Sequence, residues 1–303
     1  MAGDRTRVGN GGLLVVNKPR GLTSRAVVDR VARLVGRVKV GHAGTLDPLA
    51  SGILVVCVGP ATRLVEEVHG LPKSYRTVVL LGARSDTLDA DGQIEYVEDS
   101  SVPSPDEVAA AAATLVGNVD QVPPDYSALK VGGRRAYDLA RAGQCVELAP
   151  RRVRIDRIEV IRYEWPRLEL AIDCGSGTYI RSIARDVGEA LGCGGLVEVL
   201  VRTRIGPFTL DGAVELDRLT AESLPGLLRP AVEAVAGLPR IVLDPDQVAA
   251  VADGRRLPAG APGLAAVPPG PIALVDADGQ LVALAEADTA NGWVQPRKVF
   301  VRQ

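Results

Sequence analysis

One acid in this sequence stands where chemistry could be done. Asp47 lies in Gly41-His42-Ala43-Gly44-Thr45-Leu46-Asp47-Pro48-Leu49-Ala50-Ser51-Gly52, a stretch with three glycines, one proline and a single acid between apolar runs. Such a loop can hold a carboxylate on stiff backbone at the edge of a sheet. An ionised acid held there can begin catalysis by more than one route. The same residues also suit a plain turn in which Asp47 only bonds backbone ahead of Pro48, and spacing alone leaves both readings open.

A second candidate is Arg181, in Gly177-Thr178-Tyr179-Ile180-Arg181-Ser182-Ile183-Ala184. In the first turn of a helix an arginine opposes the helix dipole, so it is either exposed or held by another partner, for which a carboxylate is the natural choice. Asp89, Asp91, Gly92, Ile94 and Glu98 fall at calcium-loop positions of an EF-hand counted from Thr87. Thr87 replaces the first acid and the preceding Tyr75 to Leu81 alternates like a strand, so a polar loop is expected instead of a calcium site. No P-loop, H-E-x-x-H, G-x-S-x-G or dinucleotide fingerprint occurs. Neither a cofactor nor a metal is expected.

These residues must be positioned by a chain of 303 residues, 47% hydrophobic but only 3% aromatic, so the core is built from Val, Leu, Ile and Ala. The net charge of -2 argues against coating nucleic acid by overall charge. Locally, Lys130, Arg134, Arg135, Arg141, Arg151, Arg152, Arg154 and Arg157 outnumber Asp138, Glu147 and Asp156, an excess that can grip phosphate or form a solvated face. Cys57, Cys145, Cys174 and Cys193 form no C-x-x-C pair, and with two histidines a zinc site is not expected. Reduced thiols, an N-terminus without an apolar core and the short run Ile53 to Val58 lead to the expectation of a cytoplasmic protein that does not enter a membrane.

Leu13 to Val16 reads as a strand that turns at Asn17-Lys18-Pro19. Ser24 is expected to cap a helix to about Val35, and a polar loop from Gly41 to Ser51 to precede a buried strand, Ile53 to Val58. Further strands are expected at Tyr75 to Leu81, Val153 to Tyr163 and Leu168 to Asp173, and helices from Ser104-Pro105 and from about Tyr179 to Leu191. Gln121 to Arg152 reads as an excursion with a short helix near Tyr137 to Ala142. The irregular order favours an α+β fold over a doubly wound sheet. Around Ala277-Asp278-Gly279 a hairpin is expected within a small, mostly β domain over about 241–303.

Taken together these segments resemble the TruB family of bacterial tRNA pseudouridine synthases. The Gly41 to Gly52 stretch carries most of the resemblance. Asn17-Lys18-Pro19, Lys73-Ser74-Tyr75-Arg76, Asp86 to Gly92, Gln121 to Lys130, Gly177 to Arg181 and Gly206-Pro207-Phe208 follow in order. The resemblance spans about residues 12–210. It implies a mixed, largely antiparallel sheet in a catalytic domain over 1–240, a basic RNA-binding insertion at about 121–152, and a PUA-like RNA-binding domain over 241–303. Asp47 corresponds to the nucleophilic aspartate, Tyr75 to the tyrosine that stacks on the flipped uracil and assists proton removal at C5, and Arg181 to the arginine paired with the carboxylate. Tyr179, Leu200 and Lys18 correspond to pocket residues, and His42 to one packed against displaced nucleotides. Lys130, Arg134, Arg135, Arg141, Arg151 and Arg152 would meet the RNA backbone. The sequence departs from the family pattern at Asn17, Val201 and Asp125.

The implied reaction isomerises uridine 55 in the T-loop of tRNA, without a cofactor, by a monomer with no obligatory protein partner. The carboxylate could stabilise or trap a cationic C1′, as in glycoside chemistry, and the sequence leaves attack at C1′, attack at C6 and a glycal path open. Arg181 would keep Asp47 ionised in a dry site, and stacking on Tyr75 would offset part of the cost of unstacking the base. Two rivals remain: an RNA-binding or RNA-folding protein without catalysis, and a nucleosidase using Asp86 or Asp89 as a second acid.

Overall fold

The computed structural model describes residues 11–98, 101–127, 129–131, 134–135, 148–264 and 266–301. Its main body is one large sheet whose path runs Val214–Glu215, Gly12–Lys18, Ser51–Val58, Gly195–Ile205, Lys73–Leu81, Arg167–Cys174, Arg151–Glu164 and Gly117–Gln121. Val40–Ala43 and Phe208–Thr209 attach beside this path. Two of its pairings are parallel, Gly12–Lys18 with Val214–Glu215 and Gly195–Ile205 with Ser51–Val58; the rest are antiparallel. The sheet is therefore mixed and largely antiparallel, in an α+β fold.

The strand period of two explains how this sheet is buried on both faces. Along Ser51–Val58, Ile53, Val55 and Cys57 join one apolar cluster and Leu54, Val56 and Val58 another. Leu13 and Val15 divide from Leu14 and Val16 in the same way. Helix Ser24–Val35 packs Val27, Val31 and Val35 onto the second cluster. Helix Ile180–Ala190 packs Ile180, Ile183, Ala184 and Val187 onto the third, beside Tyr75, Val79 and Leu200. That helix lies so close to the Gly195–Ile205 strand that a Cβ on Gly188 would sit 2.2 Å from the Gly194 carbonyl carbon.

Two local expectations are corrected. Thr23, not Ser24, caps the first helix, accepting from the Ala26 N–H at 3.1 Å; Ser24 bonds elsewhere, as described below. Gly41 to Ala43 is not loop but part of the strand Val40–Ala43, paired antiparallel with Val55 to Val58. The expected helix near Tyr137 to Ala142, with Arg141, lies outside the described residues.

A second sheet of five strands orders Arg240–Val242, Gly270–Val275, Leu281–Asp288, Trp293–Val299 and Leu257–Pro258. The hairpin around Gly279, at φ 76°, joins Gly270–Val275 to Leu281–Asp288. Ala273, Val275, Leu281 and Leu284 share an apolar cluster with Leu13, Ile53 and Val235 of the main body, and Lys298 bridges to Glu67 at 2.7 Å. Among the described residues no helix is long and apolar enough to cross a membrane.

Candidate active site

The Gly44 to Ala50 loop is pinned at several points. Ser24 Oγ accepts from the Leu46 N–H at 2.8 Å and donates to the Leu46 carbonyl at 3.0 Å. The Gly21 N–H donates to the Pro48 carbonyl at 2.7 Å, and the Ala50 N–H closes on the Asp47 carbonyl at 3.1 Å. From the sheet, Arg202 donates to the carbonyls of Gly44 at 3.0 Å and Thr45 at 3.3 Å. With its backbone spoken for, Asp47 presents its side chain to Arg181, whose Nε lies 3.0 Å from Asp47 Oδ2. The arginine is buried at 7% exposure while the acid keeps 37%. The expected carboxylate partner of Arg181 is thus Asp47.

Arg181 is held by more than Asp47. It donates to the carbonyls of Thr87 at 2.8 Å and Tyr126 at 2.9 Å, and Nη1 lies 3.6 Å from Asp89 Oδ2. Asp89 is buried and accepts from Thr87 Oγ1 at 2.6 Å and the Asp91 N–H at 3.1 Å. Burial raises its pKa, opposed by the Thr87 bond and by Arg181. The acidic loop joins two short strands, Ala83–Ser85 and Ile94–Tyr96, and so lacks the helices of an EF-hand; it supplies a second carboxylate to Arg181. Asp86 instead accepts from the Gln93 N–H at 3.0 Å and lines neither cavity.

Two cavities meet at Asp47. The smaller, about 200 Å³, is lined by Asp47, Tyr75, Tyr179, Arg181, Leu200, Lys73 and Arg202 among others. The larger, about 610 Å³, shares Asp47 and Arg181 and adds His42, Arg25, Asp89 and Tyr126. The carboxylate therefore faces a recess walled by two phenols and a leucine, next to a wider mouth. Register explains the assembly: Arg202 is opposite Gly52 on one side and Tyr75 on the other. One strand thus ties the end of the loop to the tyrosine. Gly52 is required there, since at φ 100° a Cβ would lie 2.2 Å from the Arg202 carbonyl oxygen.

Tyr179 is fixed by Gln121, which accepts from its N–H at 2.9 Å and donates to its carbonyl at 3.2 Å. Burial raises the pKa of both phenols, and Arg202 opposes this at Tyr75. His42 lines the larger cavity with Nδ1 buried and unpartnered; burial, then Arg202 and Arg25, lower its pKa. Lys18 lines neither cavity. It is wholly buried and donates to the carbonyls of Pro19 at 3.0 Å and Leu22 at 2.7 Å. Burial lowers its pKa to about 8, with Asp47 opposing.

Of the basic excursion, Lys130–Val131 and Arg134–Arg135 pair as a small hairpin. Arg151 and Arg152 are exposed on the adjoining strand, with Arg152 3.5 Å from Asp120. Arg151 and Arg152 line neither of the two cavities. The sequence reading gave no role to Arg202, Lys73, His69 or Gln121. Arg202 left little signal, since Glu198 and Arg204 share with it the alternation that carries Leu200 in Gly195–Ile205.

The sequence matches the profiles of the TruB family pseudouridylate synthase N-terminal domain over residues 32–180 and of the tRNA pseudouridylate synthase B C-terminal domain over 181–236. Among curated relatives, tRNA pseudouridine synthase B of Mycobacterium sp. (strain KMS) is 46% identical over 277 residues, covering 89% of this chain and 93% of the relative. The protein of the same name from Arthrobacter sp. (strain FB24) is 43% identical, covering 95% and 96%. Among solved structures, a Cbf5-Nop10-Gar1 complex aligns with a TM-score of 0.73 and 27% identity, covering 96% of this chain and 85% of the other. An H/ACA RNP bound to a substrate RNA containing 2'-deoxyuridine aligns with a TM-score of 0.73 and 25% identity, covering 97% and 86%. The chain belongs to the TruB family of pseudouridylate synthases.

Proposed function

We propose that this protein isomerises uridine to pseudouridine in tRNA, at position 55 of the T-loop, with Asp47 as the essential carboxylate. The observation that carries the reading is the Asp47–Arg181 ion pair, at 3.0 Å, on the wall shared by the two cavities. The reaction breaks the N1–C1′ bond, turns the base in place and joins C5 to C1′. It oxidises nothing and imports no group, so side chains of this chain suffice for it.

In this reading the extruded uracil enters the smaller cavity against Tyr75, Tyr179 and Leu200. Asp47 then balances the electron-poor C1′ while the apolar wall keeps water from capturing it. Arg181, itself anchored by two backbone carbonyls, holds the acid ionised and fixed in direction. Tyr75, in the same recess, is placed to stack on the base and to assist removal of the C5 proton. His42, in the larger mouth, would meet nucleotides displaced around the target. Lys18 supports the turn beneath the site through its bonds to Pro19 and Leu22. Lys130, Arg134, Arg135, Arg141, Arg151 and Arg152 would track phosphates of the T-arm. The division into a catalytic part over 1–240 and an RNA-binding part over 241–303, and action as a cytoplasmic monomer, belong to the same proposal.

Asp47→Asn keeps the size of the side chain and removes its charge. The variant is expected to fold and bind tRNA, with no turnover of tRNA that carries tritium at uridine C5. Substantial residual pseudouridine would defeat the assignment. Free uracil released by the native protein would point instead to a nucleosidase, and tRNA recovered without modification to binding alone.

A further inference from the structure

Two cations of the smaller cavity have no acid of their own. Lys73 is buried and donates to the carbonyls of His69 and Leu71, each at 2.8 Å. Arg202, at 1% exposure, donates to the carbonyls of Ile53 at 2.8 Å, Gly44 at 3.0 Å and Thr45 at 3.3 Å. Among the described residues the ion pairs of this region belong to Arg181, with Asp47 and Asp89; neither Lys73 nor Arg202 pairs with a carboxylate. Arg202 also hydrogen-bonds the Tyr75 side chain. A buried cation satisfied only by neutral groups keeps most of its field and is costly to maintain. An ammonium has three donors and a guanidinium five, so both groups retain N–H bonds beyond those to the backbone.

Both side chains line the smaller cavity. A Cβ on Gly44, which sits at φ 91°, would lie 3.5 Å from Arg202 Nη1, 3.8 Å from Lys73 Cε and 3.9 Å from His69 Cδ2. With no side chain on Gly44, Arg202 Nη1 and the stem of Lys73 lie against the loop three residues before Asp47, and the two cations form a cradle on the cavity wall.

We propose that this cradle binds the anion that uracil becomes on detachment, with Lys73 and Arg202 facing its carbonyl oxygens while it turns. The inference rests on the isomerase reading above. Breaking N1–C1′ sends both bonding electrons to the base, which spreads the charge over N1 and its two oxygens, while the Asp47 carboxylate balances C1′. Rejoining through C5 returns the pair to C1′. The C5 proton then leaves and N1 gains one, so the product is an isomer and no co-reactant is consumed. The anion develops only as the bond breaks, so preorganised cations favour the transition state over bound uridine. A phosphate, charged from the start, would draw on the same cations for affinity instead.

Burial, then Arg202, lowers the Lys73 pKa to about 8, with Cys174 opposing; His69 is the other titratable neighbour. The test compares native enzyme, Lys73→Met and Lys73→Arg in single turnovers of C5-tritiated tRNA, with tRNA affinity measured in parallel. Lys73→Met is expected to slow the single-turnover rate roughly 100-fold with affinity unchanged, and Lys73→Arg to restore most of it. The native rate is expected to fall as pH rises through about 8, and that limb to move upward in Lys73→Arg, because arginine stays charged. Should Lys73→Met fail to fold, the displaced limb of Lys73→Arg decides. An undiminished rate in Lys73→Met, a loss of affinity matching the loss of rate, or a limb unmoved in Lys73→Arg overturns the cradle. Each of these leaves the native enzyme making pseudouridine, so failure here is distinct from failure of the isomerase reading.

Discussion

Arg181 and Arg202 are both buried and both serve the Gly44 to Asp47 loop, yet their surroundings differ in charge. Arg181 faces Asp47 at 3.0 Å and Asp89 at 3.6 Å, so one cation stands against two acids. Arg202 meets three carbonyls and the Tyr75 side chain, all neutral, with Lys73 as a cationic neighbour that shares the cavity wall. The first region fixes a charged group in place; the second leaves positive charge unspent. A site built for stability alone would not need the second arrangement, since uncompensated buried charge opposes folding. The contrast assigns orientation of the acid to one arginine and stabilisation of a transient anion to the other.

The comparison breaks most readily at Arg181. Arg181→Met orphans Asp89, which is buried, and frees Asp47 from its partner. About 3–5 kcal/mol of stability is expected to be lost, together with a fall in single-turnover rate of roughly 1000-fold or more. Denaturant unfolding and tritium release measure the two. Arg202→Met should be gentler on the fold. It leaves carbonyls without a donor, worth about 1–3 kcal/mol, but removes an uncompensated cation in the same stroke. Its rate is still expected to fall roughly 100-fold. If Arg202→Met unfolds the protein as far as Arg181→Met does, charge compensation does not separate the two regions.

Much of this site was legible because its chemistry is local in sequence. The Gly41 to Gly52 stretch offers one acid on stiff backbone, and an arginine set against a helix dipole offers it a partner; spacing left a plain turn and an exposed arginine equally open, and the resemblance to a family chose between them. Arg202 and Lys73 were harder to read because their meaning lies in registry. Arg202 matters through Gly52 and Tyr75 on neighbouring strands, and no spacing within Gly195–Ile205 states which strands those are. Ser24 was misread for a related reason: Ser before a helix fits a cap, but its partner is Leu46, twenty-two positions on. The small sheet was foreshadowed by its hairpin signal, whereas its seat against Leu13 and Val235 is long-range packing that composition cannot specify.

The gentlest probe uses pH alone. Lys18 and Lys73 both have pKa values lowered to about 8 by burial, from 10.5. Between pH 8 and 9 the unfolded chain keeps these two protons while the folded chain sheds them, so stability rises with pH across that interval. The expected gain is about 1 kcal/mol for each lysine. Burial holds the Cys57 and Cys174 thiols protonated to about 12 and about 11 while unfolded thiols ionise near 9.0, which offsets part of the lysine gain, more strongly as pH passes 9. Over the same interval the cationic cradle loses the Lys73 charge, and the rate of isomerisation is expected to fall. Unfolding curves and single-turnover rates at pH 8 and 9 should therefore move in opposite directions, and Lys73→Met should retain only the Lys18 share of the stability gain. A fold and a rate that strengthen together across this unit of pH would mean that the charge on Lys73 contributes nothing to the reaction, and that Arg202 stands alone on its side of the site.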